Sequence, residues 1–168
     1  MKLIPRQYLA VIAVLLAIIM SVLDGTIMNV ALPTLAHDFE VEPSTAIWIV
    51  NVYQLAITMT LLSFASLGDI HGYRRIFLIG IVVFVSASFC CMMSGSFWTL
   101  TLSRVIQGFG AACVMSVNTA LIRLIYPPKI LGRGMAINAM IVAVSAASGP
   151  SIALSLIHIS EPTRRRGI

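Results

Sequence analysis

Long apolar runs alternate with short polar links along this chain, and that alternation predicts its elements. The runs cover about 8–35, 45–67, 75–93, 98–125 and 134–153 onward. Crossing ~30 Å of hydrocarbon takes about 20 residues in a helix, and each run meets or nears that length. The links carry breakers: Glu42-Pro43-Ser44, Asp69 to Arg74, Ser94-Gly95-Ser96 and Pro127-Pro128-Lys129. The pattern predicts an all-α membrane protein with five transmembrane helices, the fifth truncated or scarred. The first run is too long for the apolar region of a signal peptide. No small-residue cleavage site follows it, so it reads as a span and not a cleaved leader.

Basic residues then orient the spans. Lys2 and Arg6 precede the first, Arg74 and Arg75 lie between the second and third, and Arg123, Lys129 and Arg133 surround the link from fourth to fifth. The alternate links hold none: 37–42 carries Asp38, Glu40 and Glu42, and 94–97 is uncharged. This is a positive-inside pattern that places the N-terminus in the cytoplasm. Trp48 and Trp98 fall near outer helix ends, where interfacial anchors belong.

Composition agrees. The 168 residues are 59% hydrophobic and 10% charged, against roughly 25% charged for a soluble domain. Cys90, Cys91 and Cys113 sit inside apolar runs and read as small buried packing residues. No paired Cys/His spacing suits a metal, and no glycine-rich loop ends in Gly-Lys, which argues against an ATP-driven pump in this segment. No enzymatic activity is expected.

The end of the chain breaks the orientation rule. The fifth span starts inside, so Arg164, Arg165 and Arg166 would emerge outside. The string LSLIHISEPTR, 154–164, resembles the conceptual translation of a transposase-type sequencing-library adapter. Residues 154–168 are therefore read as a non-native, adapter-derived tail, with 1–153 an N-terminal transmembrane bundle whose native sequence continues beyond Ala153.

Charge inside a span is costly and is a functional hypothesis by default. Asp24 lies in LDGTIMNVALP, 23–33, roughly 24 Å along the first helix from Tyr8 at 1.5 Å per residue. Desolvation at that depth disfavours a charged carboxylate, which makes Asp24 a candidate for proton exchange or a structural group locked to an arginine. Arg104, roughly 9 Å below Trp98, lies at similar depth and is always protonated. Gln107 follows one turn on, with Asn118 on about the same face. Asn51, Gln54 and Thr58 form a second polar stripe at i, i+3 and i+7. With Asn29 these are candidates to line a water-accessible cavity; interhelical hydrogen bonds without a cavity are the alternative.

At the link DIHGYRR, Gly72 permits a tight turn. Asp69 can accept from backbone N–H groups at the start of the third span or pair with Arg74, latching these ends together. Simple helix capping with topogenic charge is the plainer alternative. Gly108-Phe109-Gly110-Ala111-Ala112 offers small residues for a close helix crossing. Gly149-Pro150 breaks the backbone ladder in the fifth span.

With these residues in place, the chain resembles the major facilitator superfamily, and within it the fourteen-helix drug:proton antiporters. LDGTIMNVALP matches the first-helix motif of those antiporters almost throughout. Asp69, Gly72, Arg74 and Arg75 match the loop motif G-x-L-a-D-r-x-G-r-[KR]. LTLSRVIQGFGAA, 100–112, matches the fourth-helix motif, and Gly149-Pro150 the core of the fifth-helix antiporter motif. WIVNVYQLA after residue 47 is also typical. Ala65 replaces the first glycine of the loop motif and Tyr73 one basic position; Ser145 and Ala153 replace glycines of the fifth-helix motif.

The resemblance implies the N-terminal part of a fold in which two six-helix bundles rock about a midplane site. It implies proton-coupled efflux of lipophilic, often cationic, drugs by alternating access from a bacterial inner membrane. Asp24, Arg104 and Gln107 would serve coupling or gating, Asp69, Gly72, Arg74 and Arg75 a cytoplasmic latch, and Gly149 with Pro150 the seal against leak. The partners implied are a small-molecule substrate, protons and membrane lipid, and no nucleic acid. A periplasmic adaptor joins them if the protein is part of a tripartite pump. No cofactor is implied beyond the proton gradient as energy source. A nutrient or metabolite symporter or facilitator on the same fold is the first alternative, and a non-transporting membrane assembly partner the second. The 168-residue chain by itself is expected to be inactive.

Overall fold

The computed structural model describes residues 6–164. Lys2, Arg165 and Arg166, which entered the charge argument above, lie outside the described residues. The chain forms α1 (Arg6–Asp38), the one-turn α2 (Pro43–Ala46), α3 (Trp48–His71), α4 (Tyr73–Met92), α5 (Phe97–Ile125) and α6 (Leu131–Arg164), with a 3-10 turn over Pro128–Ile130 before α6. Five stretches are long and apolar enough to cross a membrane: Ala10–Asp38, Pro43–His71, Tyr73–Met92, Phe97–Ile125 and Pro128–Ala153. They are the five spans the hydropathy pattern predicts.

The links are shorter than the sequence pattern indicates. Asp69 closes α3 and Arg74 and Arg75 open α4, so only Gly72 leaves the helical path between them. Gly72 has φ +92°, a region that costs any L side chain and that glycine enters freely. α1 passes through Pro33 and α6 through Gly149-Pro150 as single helices. α6 also runs across the compositional boundary at 154 to Arg164.

α5 is the hub. A capping box starts it: the Ser96 hydroxyl accepts from the Thr99 N–H and the Ser96 N–H donates to Thr99 Oγ1. It is the most buried of the five spans and packs against α3 on one side, α4 on another and α1 on a third. Its small residues make this possible. A Cβ added at Gly108 would stand 2.8 Å from the Tyr53 carbonyl oxygen of α3, and one at Gly110 would stand 2.8 Å from the Phe84 Cα of α4. Backbones in lipid meet this closely only where side chains are absent, because packing and not a hydrophobic drive holds membrane helices together. Val14, Ile18, Phe77, Val114, Val117 and Leu121 fill the core that joins α1, α4 and α5.

α6 lies mainly against α1. On the outside of the bundle, Val82, Val85 and Phe89 of α4 are exposed, as side chains that meet lipid tails are. Trp48 and Trp98 are exposed at the first turns of α3 and α5. The cysteines depart from expectation. Cys113 is buried, Cys91 is half-buried and Cys90 is exposed. The two adjacent thiols point to different sides of α4, so the apolar run around them does not bury both.

Candidate functional site

The fold brings Asp24 of α1 and Arg104 of α5 together. Arg104 Nη1 donates to Asp24 Oδ2 at 2.6 Å and to Gln107 Oε1 at 2.8 Å. Gln107 Nε2 donates to Asp24 Oδ1 at 3.1 Å and to Ser88 Oγ of α4 at 2.7 Å. The Cys91 thiol approaches Gln107 Oε1 at 3.7 Å. An amide has two N–H donors and two oxygen lone pairs, and at Gln107 all four are engaged. This residue therefore fixes the spacing of α1, α4 and α5 around the ion pair.

Burial is uneven across the network. Gln107 is 1% exposed and Arg104 3%, whereas the Asp24 side chain keeps 24% of its surface open. The guanidinium Cζ sits 5.6 Å from the centre of the Tyr53 ring, a cation–π contact that offsets part of its desolvation. Tyr53 is itself held by its hydroxyl, which donates to the Ser21 carbonyl at 3.4 Å. Arg104 Nε is buried and has no partner among the described residues.

Asp24 and Arg104 both line a cleft of about 320 Å³. Leu35 and Phe39 near the end of α1, Met92 at the end of α4 and Leu100 near the start of α5 line it as well. The cleft beside the carboxylate thus extends toward the end of the bundle where α1 ends and α5 begins. Chemically, a fixed cation and a fully bonded amide hold one carboxylate that is open to the cleft.

A second cleft of about 320 Å³ opens between α1 and α3, and Asn29 and Gln54 lie in its wall. Asn51, Gln54 and Thr58 line an adjoining depression on the exposed face of α3. Asn118 does neither. It is buried, and its Nδ2 donates to Asn138 Oδ1 of α6 at 3.4 Å, while its own Oδ1 has no partner among the described residues. The structure assigns Asn118 to an interhelical contact.

At the opposite end, Asp69 accepts a hydrogen bond from the Tyr73 hydroxyl. No ion pair joins Asp69 to Arg74 among the described residues, and Arg74 and Arg75 are both exposed. Tyr73 stands where the loop motif has a basic residue, and its phenol takes up the carboxylate. Asp69, Tyr73, Ser116 and Arg123 share a groove of about 380 Å³ between α3, α4 and α5. Gly149 is buried against α1, where a Cβ would overlap the Thr26 side chain; Pro150, beside it, is exposed.

Sequence reasoning missed Ser88, Tyr53 and Cys91. Ser88 carries the one usable signal, a hydroxyl inside the apolar run of α4. Tyr53 stands between Asn51 and Gln54 in the chain and on the opposite, buried side of α3.

A family model described as Major Facilitator Superfamily matches residues 14–162. The chain is 57% identical over 156 residues to the uncharacterized transporter YebQ of Escherichia coli (strain K12), covering 93% of the chain and 34% of that protein. It is 34% identical over 159 residues to the riboflavin transporter RibZ of Clostridioides difficile (strain 630), covering 94% and 35%. It is 38% identical over 149 residues to the drug efflux pump JefA of Mycobacterium tuberculosis, covering 88% and 29%. The chain spans about a third of the length of these curated relatives. A match over most of the chain, joined to five membrane-length helices of which one, rich in small residues, is the hub, makes it a multi-pass membrane protein that belongs to the Major Facilitator Superfamily.

Proposed function

We propose that the whole protein is a secondary active transporter of a bacterial inner membrane that exports lipophilic small molecules, drugs among them, in exchange for protons. The observation that carries this reading is the asymmetric burial of the charge network. Arg104 is closed off from its surroundings, while the Asp24 carboxylate faces an open cleft. A proton arriving from the outer face neutralises Asp24 and leaves Arg104 charged. The ion pair then becomes a weaker hydrogen bond, and the link between α1 and α5 loosens. Alternating access needs such a two-state element. Support for this orientation comes from Arg74 and Arg75 at the start of α4 and Lys129 and Arg133 around the start of α6, since basic residues favour the cytoplasmic side.

The similarity to a drug efflux pump supports export. A second reading, uptake or facilitated passage of a metabolite, draws support from the similarity to a riboflavin transporter. Everted membrane vesicles containing the full-length protein separate the two. Proton-driven accumulation of the neutral dye Nile red or the cation ethidium, lost when the pH gradient is collapsed, is the exporter's result. Uptake of a metabolite into right-side-out vesicles, with no dye accumulation in everted ones, contradicts export.

A further inference from the structure

Three neighbours dictate which way the buried Gln107 amide points. Arg104 carries only N–H donors, so it must meet the amide oxygen, which it does at 2.8 Å. Cys91 turns its thiol toward the same oxygen. Ser88 spends its own hydrogen on the Phe84 carbonyl at 2.8 Å, so its oxygen is left to accept, and it takes an N–H of Gln107 at 2.7 Å. The amide nitrogen also donates to Asp24 Oδ1 at 3.1 Å. An N–H donated to a carboxylate favours its ionised form.

Ser88 and Cys91 stand at i and i+3 on one face of α4, so this helix holds both ends of the amide. α4 is in turn seated closely on α5. Phe84, whose carbonyl fixes the Ser88 hydroxyl, has its Cα 2.8 Å from where a Cβ on Gly110 would stand. A continuous line of contacts therefore runs from the glycine crossing through Ser88 to Gln107 and Asp24. No hydrogen bond joins Ser88 to Asp24 directly among the described residues.

We propose that Ser88 is a positioning residue for proton exchange at Asp24: by anchoring Gln107 it keeps an N–H on the carboxylate and so sets how readily Asp24 takes up a proton. This rests on the proton-coupled reading of Asp24 and extends its machinery to α4. The other groups that bear on this charge are Arg104 of α5, Tyr53 of α3 and Cys91 of α4, and no described residue of α6 lines the cleft. Without the Ser88 acceptor, one N–H of the buried amide loses its partner. The amide relaxes, its bond to Asp24 weakens, and the neutral carboxyl gains ground.

The test reads the neutral carboxyl without any transport. Dicyclohexylcarbodiimide adds to protonated carboxyl groups in apolar surroundings, and the Asp24 cleft is lined by Met28, Leu35, Phe39 and Leu100. Purified full-length protein is labelled at fixed pH and the adduct at Asp24 is quantified by peptide mass, with Asp24→Asn as the blank. Ser88→Ala is expected to raise the initial labelling rate about threefold, the scale of weakening one hydrogen bond. Ser88→Thr, which keeps an accepting oxygen, is expected to hold the original rate. So is Ser86→Ala, which removes an exposed hydroxyl from the same helix. Gln107→Leu should raise the rate at least as far as Ser88→Ala, and combining the two should add nothing, because Ser88 acts through Gln107. An unchanged rate in Ser88→Ala would overturn the proposal. So would an equal rise in Ser88→Thr, or a Ser88→Ala effect that adds in full to that of Gln107→Leu. Flux driven by a pH gradient that survives Asp24→Asn, with this labelling pattern intact, counts against the transporter reading alone.

Discussion

Arg104 reaches across from α5 to place Nη1 2.6 Å from Asp24 Oδ2 of α1, residues 80 apart in the chain. That contact joins two helices through the most deeply buried charge described in the structure. Arg104→Ala would leave the carboxylate without its cation and Gln107 Oε1 without a strong donor. The expected loss of stability is about 3 kcal/mol, the low end for breaking a buried pair because Asp24 is part-exposed. Thermal unfolding of the purified full-length protein measures it. Arg104→Lys is expected to recover only part of the loss, because an ammonium lacks the planar face that stacks on Tyr53.

The crossing of α5 with α4 depends on a missing side chain. A methyl group at position 110 would meet the Phe84 backbone at 2.8 Å from its Cα. Gly110→Ala is therefore expected to cost about 1–3 kcal/mol, the range for overpacking a filled core. Gly132 in α6 has nothing within 4 Å of an added Cβ. Gly132→Ala is expected to be neutral or to stabilise by up to about 1 kcal/mol through helix propensity. Opposite shifts in melting temperature for the two variants would confirm that contact, not glycine content, decides.

Gly149 of α6 lies directly against the Thr26 side chain of α1, two residues along α1 from Asp24. Gly149→Ala alone should push α6 away. Removing the obstructing side chain as well, in Gly149→Ala with Thr26→Gly, should restore part of the stability. A double-mutant cycle with a coupling of at least about 0.5 kcal/mol is the expected result, the level at which residues in contact depart from additivity.

At the α3–α4 turn, Gly72→Ala is expected to lower the melting temperature, since φ +92° costs an L side chain roughly 1–3 kcal/mol. Tyr73→Arg restores the basic residue of the loop motif beside Asp69. If this turn works as a cytoplasmic latch, Tyr73→Arg should hold the inward end closed longer and slow turnover, with a salt dependence that Tyr73→Phe lacks. Transport rates at low and high ionic strength read the difference.

How far the sequence revealed these features depends on the kind of feature. The spans were legible because hydrocarbon demands long apolar runs, and their order left few alternatives. The pairing of Asp24 with Arg104 was legible from depth alone, since each charge lowers the cost of the other. Ser88 and Cys91 were not, because their part in the network depends on the rotation of α4 about its axis, which a nearly uniform apolar run does not encode. The same loss of phase put Asn118 among the cavity-lining residues, although its partner is Asn138 of α6. At the turn, the motif pointed to Arg74 as a partner of Asp69. The contact went to Tyr73, one helical turn from Asp69 across the single break at Gly72.

In the proposed function Asp24 carries the coupling proton while Arg104 and Gln107 hold it in place. Proteoliposomes containing full-length Asp24→Asn decide this, by comparing flux driven by a pH gradient with gradient-free exchange of labelled for unlabelled substrate. The amide, which cannot titrate, is expected to abolish the driven flux and to leave exchange within about twofold of the unsubstituted protein. Driven flux that persists in Asp24→Asn, with the same dependence on the pH gradient, would contradict it.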